Sequence, residues 1–171
     1  QSLSTTMGDS VLRYNMTIGL YIASMGAGAL LFKRFTKSIS LVERLLQVEF
    51  FLALLGAISP ILILLCDTFW QWAQGHGGPA YYSPLPQLFI WGFNHSLIIA
   101  VGLLTGVELP LLMQMGRALS PKWEMRTLAV DYLGTLSGAV IFPLVLVSMF
   151  ELFSIAYGVA FINALAGLLI Y

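Results

Sequence analysis

Long apolar runs separated by short polar links set the pattern of this chain. The runs lie near Ser10–Phe32, Leu45–Cys66, Pro86–Val107, Thr127–Ser148 and Phe153–Tyr171. Each is close to the ~20 residues that a helix rising ~1.5 Å per residue needs to cross a hydrocarbon layer about 30 Å thick. Backbone N–H and C=O groups at that depth find no water, so each run must satisfy them internally as a helix. The pattern predicts an all-α fold, a polytopic transmembrane helix bundle of about five spanning helices, forming one domain over residues 1–171. So few residues separate the last two runs that Phe150 and Glu151 must turn tightly, which predicts an antiparallel hairpin there.

Composition strengthens that picture. Hydrophobic residues make up 58% of the 171 and charged residues only 9%, against about 25% charged in a soluble domain. The principal partner is therefore the lipid bilayer. Eight basic and eight acidic side chains cancel, and they are too dispersed to build the basic face that nucleic acid requires. One cysteine, Cys66, excludes an internal disulfide and a cysteine-based metal site. The chain opens on Gln1 with no basic segment ahead of an apolar core, so no signal peptide is visible, and a piece of a longer protein is expected.

Loop charge predicts the orientation. Lys33, Arg34, Lys37 and Arg44 fall between the first two runs, and Arg117, Lys122 and Arg126 between the third and fourth, whereas Asp67 to Leu85 contains no Lys or Arg. The positive-inside rule makes the two basic loops cytoplasmic. A multi-pass protein of the cell (inner) membrane is expected, with its N-terminus outside and its C-terminus in the cytoplasm. Phe69, Trp70, Trp72, Tyr81 and Tyr82 would form the outer aromatic belt, with Trp123 at the inner face.

Polar side chains inside the runs are the candidate functional residues. A charged carboxylate at mid-membrane costs about 2.5–3.5 kcal/mol on insertion scales. Glu49 and Asp131 are placed about one turn into their helices and Glu108 at the end of its helix, in one inner layer. Arg44, Arg117 and Arg126 are close enough in depth to neutralise them in a structural network. Alternatively the acids form a vestibule for a cation such as a polyamine. Asn94 and His95 lie near the middle of the third run, and Asn163 at similar depth in the fifth. Hydrogen bonds between helices are the ordinary use of such groups; a protonatable histidine in a wet cavity would mark a solute path. Glu49, Glu108, Asp131, Asn94 and His95 are thus the ligand-binding candidates. With His76 as the only other histidine, ligands for a metal are lacking. No catalytic constellation and no cofactor motif is present.

Small residues at helical spacing predict where helices approach. Gly102 and Gly106 form one Gly-xxx-Gly pair, and Gly134 and Gly138 another on the same face as Asp131, at i, i+3 and i+7. Gly19, Ala23 and Ala27 repeat the spacing on the first helix. The three helices are expected to pack together, the third against the fourth, with Asp131 facing protein. Pro60, Pro110 and Pro143 should kink or end helices.

Three stretches in order, "GLYIASMGAGALLFKRF" (19–35), "GLLTGVELPLLMQM" (102–115) and "DYLGTLSGAVIFPLVLV" (131–147), resemble the membrane domain of membrane-bound spermidine synthase-like proteins, the polyamine aminopropyltransferases. The resemblance implies a membrane domain that anchors or regulates a cytoplasmic aminopropyltransferase domain acting on decarboxylated S-adenosylmethionine and putrescine. That Rossmann-like domain is not in this chain, so no catalytic residue carries over. Two further functions stay open: a non-catalytic subunit packed against other membrane subunits or in a homo-oligomer, and a small cation or polyamine transporter unit.

Overall fold

A computed structural model describes residues 2–35, 40–75 and 85–170; Lys37, His76, Tyr81 and Tyr82 lie outside the described residues. The elements are α1 (Ser2–Phe35), α2 (Leu41–Gly75), α3 (Leu85–Leu119), α4 (Pro121–Ile141), a π-helical turn (Phe142–Leu146), α5 (Val147–Met149) and α6 (Leu152–Ile170). Among the described residues only Ser40, Ser120, Phe150 and Glu151 are not helical, and none forms a strand. The fold is all-α.

The helices outrun the apolar stretches that nucleate them. Once a helix is started, each added residue gains a hydrogen bond, so polar flanks continue it past the apolar edge. Thus α3 runs to Leu119, beyond the expected end at Val107. Pro60 and Pro110 are absorbed inside α2 and α3. Pro143 falls instead in the π-helical turn, a local widening that absorbs its missing N–H.

Local sequence sets the helix starts. Ser40 and Glu43 make a reciprocal capping box on α2: the Glu43 N–H donates to Ser40 Oγ at 3.2 Å, and the Ser40 N–H to Glu43 Oε2 at 3.4 Å. At α4, Pro121 occupies the first helical position behind an extended Ser120 (φ −171°, ψ 158°), where a missing N–H is harmless. One residue therefore separates α3 from α4.

Four stretches are long and apolar enough to cross a membrane: Tyr14–Phe32, Leu41–Trp72, Leu88–Leu119 and Pro121–Met149. The fifth, Phe153–Leu169, has 17 residues, at the short edge of the usual range. These helices fit a multi-pass membrane protein.

Packing is organised around α3. Its Val107 and Leu111 meet Leu45, Val48 and Leu52 of α2 in the core, where Leu45 is 1% and Leu111 0% exposed. On another side α3 crosses α1 in parallel. A Cβ on Gly106 would lie 2.7 Å from the Met25 carbonyl carbon, and one on Gly102 2.8 Å from Tyr21 O. Gly28 approaches in return, its Cβ position 3.1 Å from Gly106 Cα. Only missing side chains permit backbones this close. The face of α1 in the crossing carries Tyr21, Ser24, Met25 and Gly28, not the expected Gly19, Ala23 and Ala27; a Cβ on Gly19 would meet nothing within 4 Å. Ser24 is buried there and donates to Tyr21 O at 2.8 Å.

The expected packing of Gly134 and Gly138 is not found in this chain: a Cβ on either would have nothing within 4 Å, and every residue from Ala129 to Ile141 is exposed, Asp131 included. The reason is competition. Gly102 and Gly106, the seam that α4 would have used, are already filled by α1. Helix α4 meets α3 closely near their link, where a Cβ on Gly116 would lie 3.0 Å from Thr127 Oγ1 and 3.2 Å from the Trp123 carbonyl. Nor does α6 fold back as the partner of α4. It packs antiparallel on α2: a Cβ on Gly56 would lie 3.4 Å from Ala160 Cβ, and one on Gly167 3.5 Å from Glu49 Cβ.

Candidate functional site

Three helices deliver a carboxylate to one layer of the bundle. Glu49 lies eight residues into α2 (from Leu41), Glu108 eleven before the end of α3 (at Leu119), and Asp131 ten into α4 (from Pro121). At ~1.5 Å per residue these are depths of about 12, 16 and 15 Å from the basic-loop end of the bundle. Glu108 is thus well inside α3, not at its terminus as the apolar pattern implied. Glu49 and Glu108 are near enough for each carboxyl to act on the other, and Asp131 for its charge to act on Glu108. Glu49 is only 8% exposed.

The arginines do not neutralise this layer. Arg44 Nη1 donates to Gln47 Oε1 at 2.9 Å, Arg117 Nε pairs with Glu124 Oε2 at 3.7 Å, and Arg126 stands over the Trp123 ring at 5.0 Å. Depth is the cause: all three arginines lie within about two turns of a helix end, toward the headgroups, while the acids sit deeper. Among the described residues no cation pairs with Glu49, Glu108 or Asp131. Carboxylates without basic partners between membrane helices can receive a cation. Beside it, a cavity of about 440 Å³ between α2 and α6 is lined by Glu49, Phe50, Asn163 and Gly167, so Asn163 offers its amide to the same region.

Asn94 and His95 are separate from the acids. The His95 ring stacks on Trp91 at 4.0 Å between centroids, and its Nδ1 lies 2.7 Å from Trp91 O one turn earlier. That histidine is held by its own helix, and among the described residues it makes no bond between helices. Asn94 Oδ1 is buried without a hydrogen-bond partner among the described residues. Asn94 lines a cavity of about 450 Å³ with Thr17, Tyr21 and Ser59. The polar character of that cavity was foreseeable from Asn94; the contributions of Thr17 and Ser59 were not, since isolated hydroxyls in apolar helices usually bond back to their own backbone. Among the described residues no group of three His, Cys, Asp or Glu side chains could hold a metal ion.

Comparison with known proteins points to one group. A polyamine aminopropyltransferase of Oceanobacillus iheyensis is 30% identical over 170 residues, covering 98% of this chain and 30% of that protein. Polyamine aminopropyltransferase 1 of Streptomyces coelicolor is 30% identical over 171 residues, covering 98% of this chain and 29% of the relative. Polyamine aminopropyltransferase 2 of Ralstonia nicotianae is 30% identical over 146 residues, 84% of this chain and 25% of the relative. The chain spans less than a third of the length of these relatives. No family model matches it, and no solved structure matches it.

Proposed function

We propose that this chain is the membrane domain of a polyamine aminopropyltransferase-type protein, holding a cytoplasmic catalytic domain at the inner membrane and presenting an acidic layer to its polycationic substrates or products. The observation that carries the proposal is the similarity, across 98% of the chain, to proteins named for that activity of which it covers only 30%. A helical bundle with several spans and no catalytic constellation suits the non-catalytic part of such a protein. In this reading the basic loops face the cytoplasm, and Glu49, Glu108 and Asp131, with Asn163 beside them, receive an alkylammonium group. Asn94, with Thr17, Tyr21 and Ser59, would then mark a second polar site toward the opposite end of α3, with His95 outside it.

The experiment is to raise an antibody to this segment, recover the native polypeptide from membranes, and measure its mass and its transfer of aminopropyl groups from decarboxylated S-adenosylmethionine to putrescine. A polypeptide longer than 171 residues that carries the transfer activity is expected. A polypeptide ending near Tyr171, without activity, would overturn the assignment.

One observation favours a second reading, a subunit that packs against other membrane helices. The face of α4 holding Asp131, Gly134 and Gly138 is open within this chain, as a helix awaiting a close neighbour would be. Recovery of a stoichiometric membrane partner with the native protein, absent from a Gly134→Leu, Gly138→Leu variant, would support it.

A further inference from the structure

A cavity of about 210 Å³ opens between α1, α2 and α3 near the basic-loop end, lined by Gly28, Leu31, Arg44, Val48, Leu104 and Val107. It is larger than the roughly 150 Å³ engineered cavity that accepts a benzene ring, and almost all of its wall is carbon. The exceptions are Arg44 and Gln47, neighbours on α2. Arg44 Nη1 is engaged by Gln47 Oε1 at 2.9 Å, but Arg44 Nε is buried and has no hydrogen-bond partner among the described residues. A guanidinium stays protonated, and a buried N–H without an acceptor bears the full desolvation cost. The missing acceptor is an anion or a polar oxygen.

Position narrows the ligand. Arg44 lies three residues after the start of α2, at headgroup depth, while Leu104 and Val107 extend the cavity toward the membrane interior. Arg34, exposed at the end of α1, adds positive charge at the same end of the bundle. Free phosphate would use the guanidinium and leave the apolar walls unexplained; a hydrocarbon chain alone would leave Nε unpaired. We infer that this cavity binds an anionic phospholipid, its phosphate oxygen accepting from Arg44 Nε and one acyl chain lying between α1, α2 and α3. Basic pockets between membrane helices commonly hold anionic headgroups in this way. The site is independent of the acidic layer and of any catalytic domain.

The test is native mass spectrometry of the purified chain after incubation with equal amounts of phosphatidylglycerol and phosphatidylcholine, with helicity checked for every variant. The wild type should retain phosphatidylglycerol over phosphatidylcholine by roughly tenfold, because either phosphate can accept from Arg44 Nε but the choline ammonium of phosphatidylcholine is repelled by the guanidinium beside it. Arg44→Gln should erase the preference, and Arg44→Lys, which keeps the charge without the Nε–H, should retain part of it. Leu31→Trp, which fills the cavity and leaves Arg44 intact, should reduce retention of both lipids. Equal retention of the two lipids by the wild type, or an unchanged preference in Arg44→Gln, would overturn the assignment. So would displacement of phosphatidylglycerol by inorganic phosphate, which would mark a simple anion site.

Discussion

Replacing Gly106 with alanine tests the α1–α3 crossing at its closest point. The added Cβ would lie 2.7 Å from the carbonyl carbon and 2.9 Å from the Cα of Met25, whereas carbon atoms sit comfortably at about 3.5–4.0 Å. Both obstacles are backbone, so no side chain can swing aside; α1 must move by roughly 1 Å. That motion also parts Gly28 from Gly106 and Leu103, which meet at the same point. Overpacking of this kind costs about 1–3 kcal/mol, and the better helix propensity of alanine returns up to ~1 kcal/mol. The net expectation is a loss of about 1–2 kcal/mol, around a tenfold shift in the folding equilibrium. Gly134→Ala is the internal control: the same atom meets nothing within 4 Å, so only the propensity gain remains, and the variant should match or exceed the wild type by up to ~1 kcal/mol. Far-UV circular dichroism through a titration of denaturing into mild detergent reads both variants on one scale. If Gly106→Ala proved as stable as Gly134→Ala, the backbone contact at this crossing would be refuted.

Three further variants probe other contacts by the same titration. Leu111→Ala, at the most enclosed position of the core, should cost about 2 kcal/mol or more; a loss below half of that would mean α2 and α3 are not tightly packed there. Ser40→Ala removes the capping box of α2 and should cost about 1 kcal/mol, with Ser40→Asp restoring most of it; equal stability of all three forms would show that the cap contributes nothing. Arg117→Ala breaks a 3.7 Å pair whose arginine side chain is 73% exposed, so it should change stability by less than about 1 kcal/mol, and a larger loss would imply a role beyond that pair.

The helices were legible because a membrane demands length and apolarity, which are properties of single segments. Their neighbours were not. Gly102 and Gly106 advertise a close approach, yet nothing in that spacing distinguishes the face of Ser24 and Gly28 from that of Gly134 and Gly138, and occupation by α1 leaves α4 open. A stretch such as Gly19, Ala23 and Ala27 has the same local pattern and meets no backbone at Gly19, because the partner chooses the face. The acids illustrate a second limit. Sequence placed Glu49, Glu108 and Asp131 in one layer, but its pairing of them with Arg44, Arg117 and Arg126 rested on helix ends drawn at the apolar edge. Once α3 runs on to Leu119, Glu108 lies about 16 Å inside, out of reach of side chains anchored near the headgroups. Asn94 and His95 were recognisable as unusual; that His95 turns back to Trp91 O while Asn94 Oδ1 is left without a partner depends on side-chain geometry no spacing encodes.

Reception of polyamines by the acidic layer is the central role proposed for the bundle itself, and the binding of radiolabelled spermidine to the reconstituted chain tests it most directly. The wild type should bind saturably, and the combined Glu49→Gln, Glu108→Gln, Asp131→Asn variant should bind at least about tenfold more weakly, the loss expected when charge-assisted hydrogen bonds to an ammonium are removed, with its helicity intact. Equal spermidine binding by the two proteins, or none by either, would contradict it.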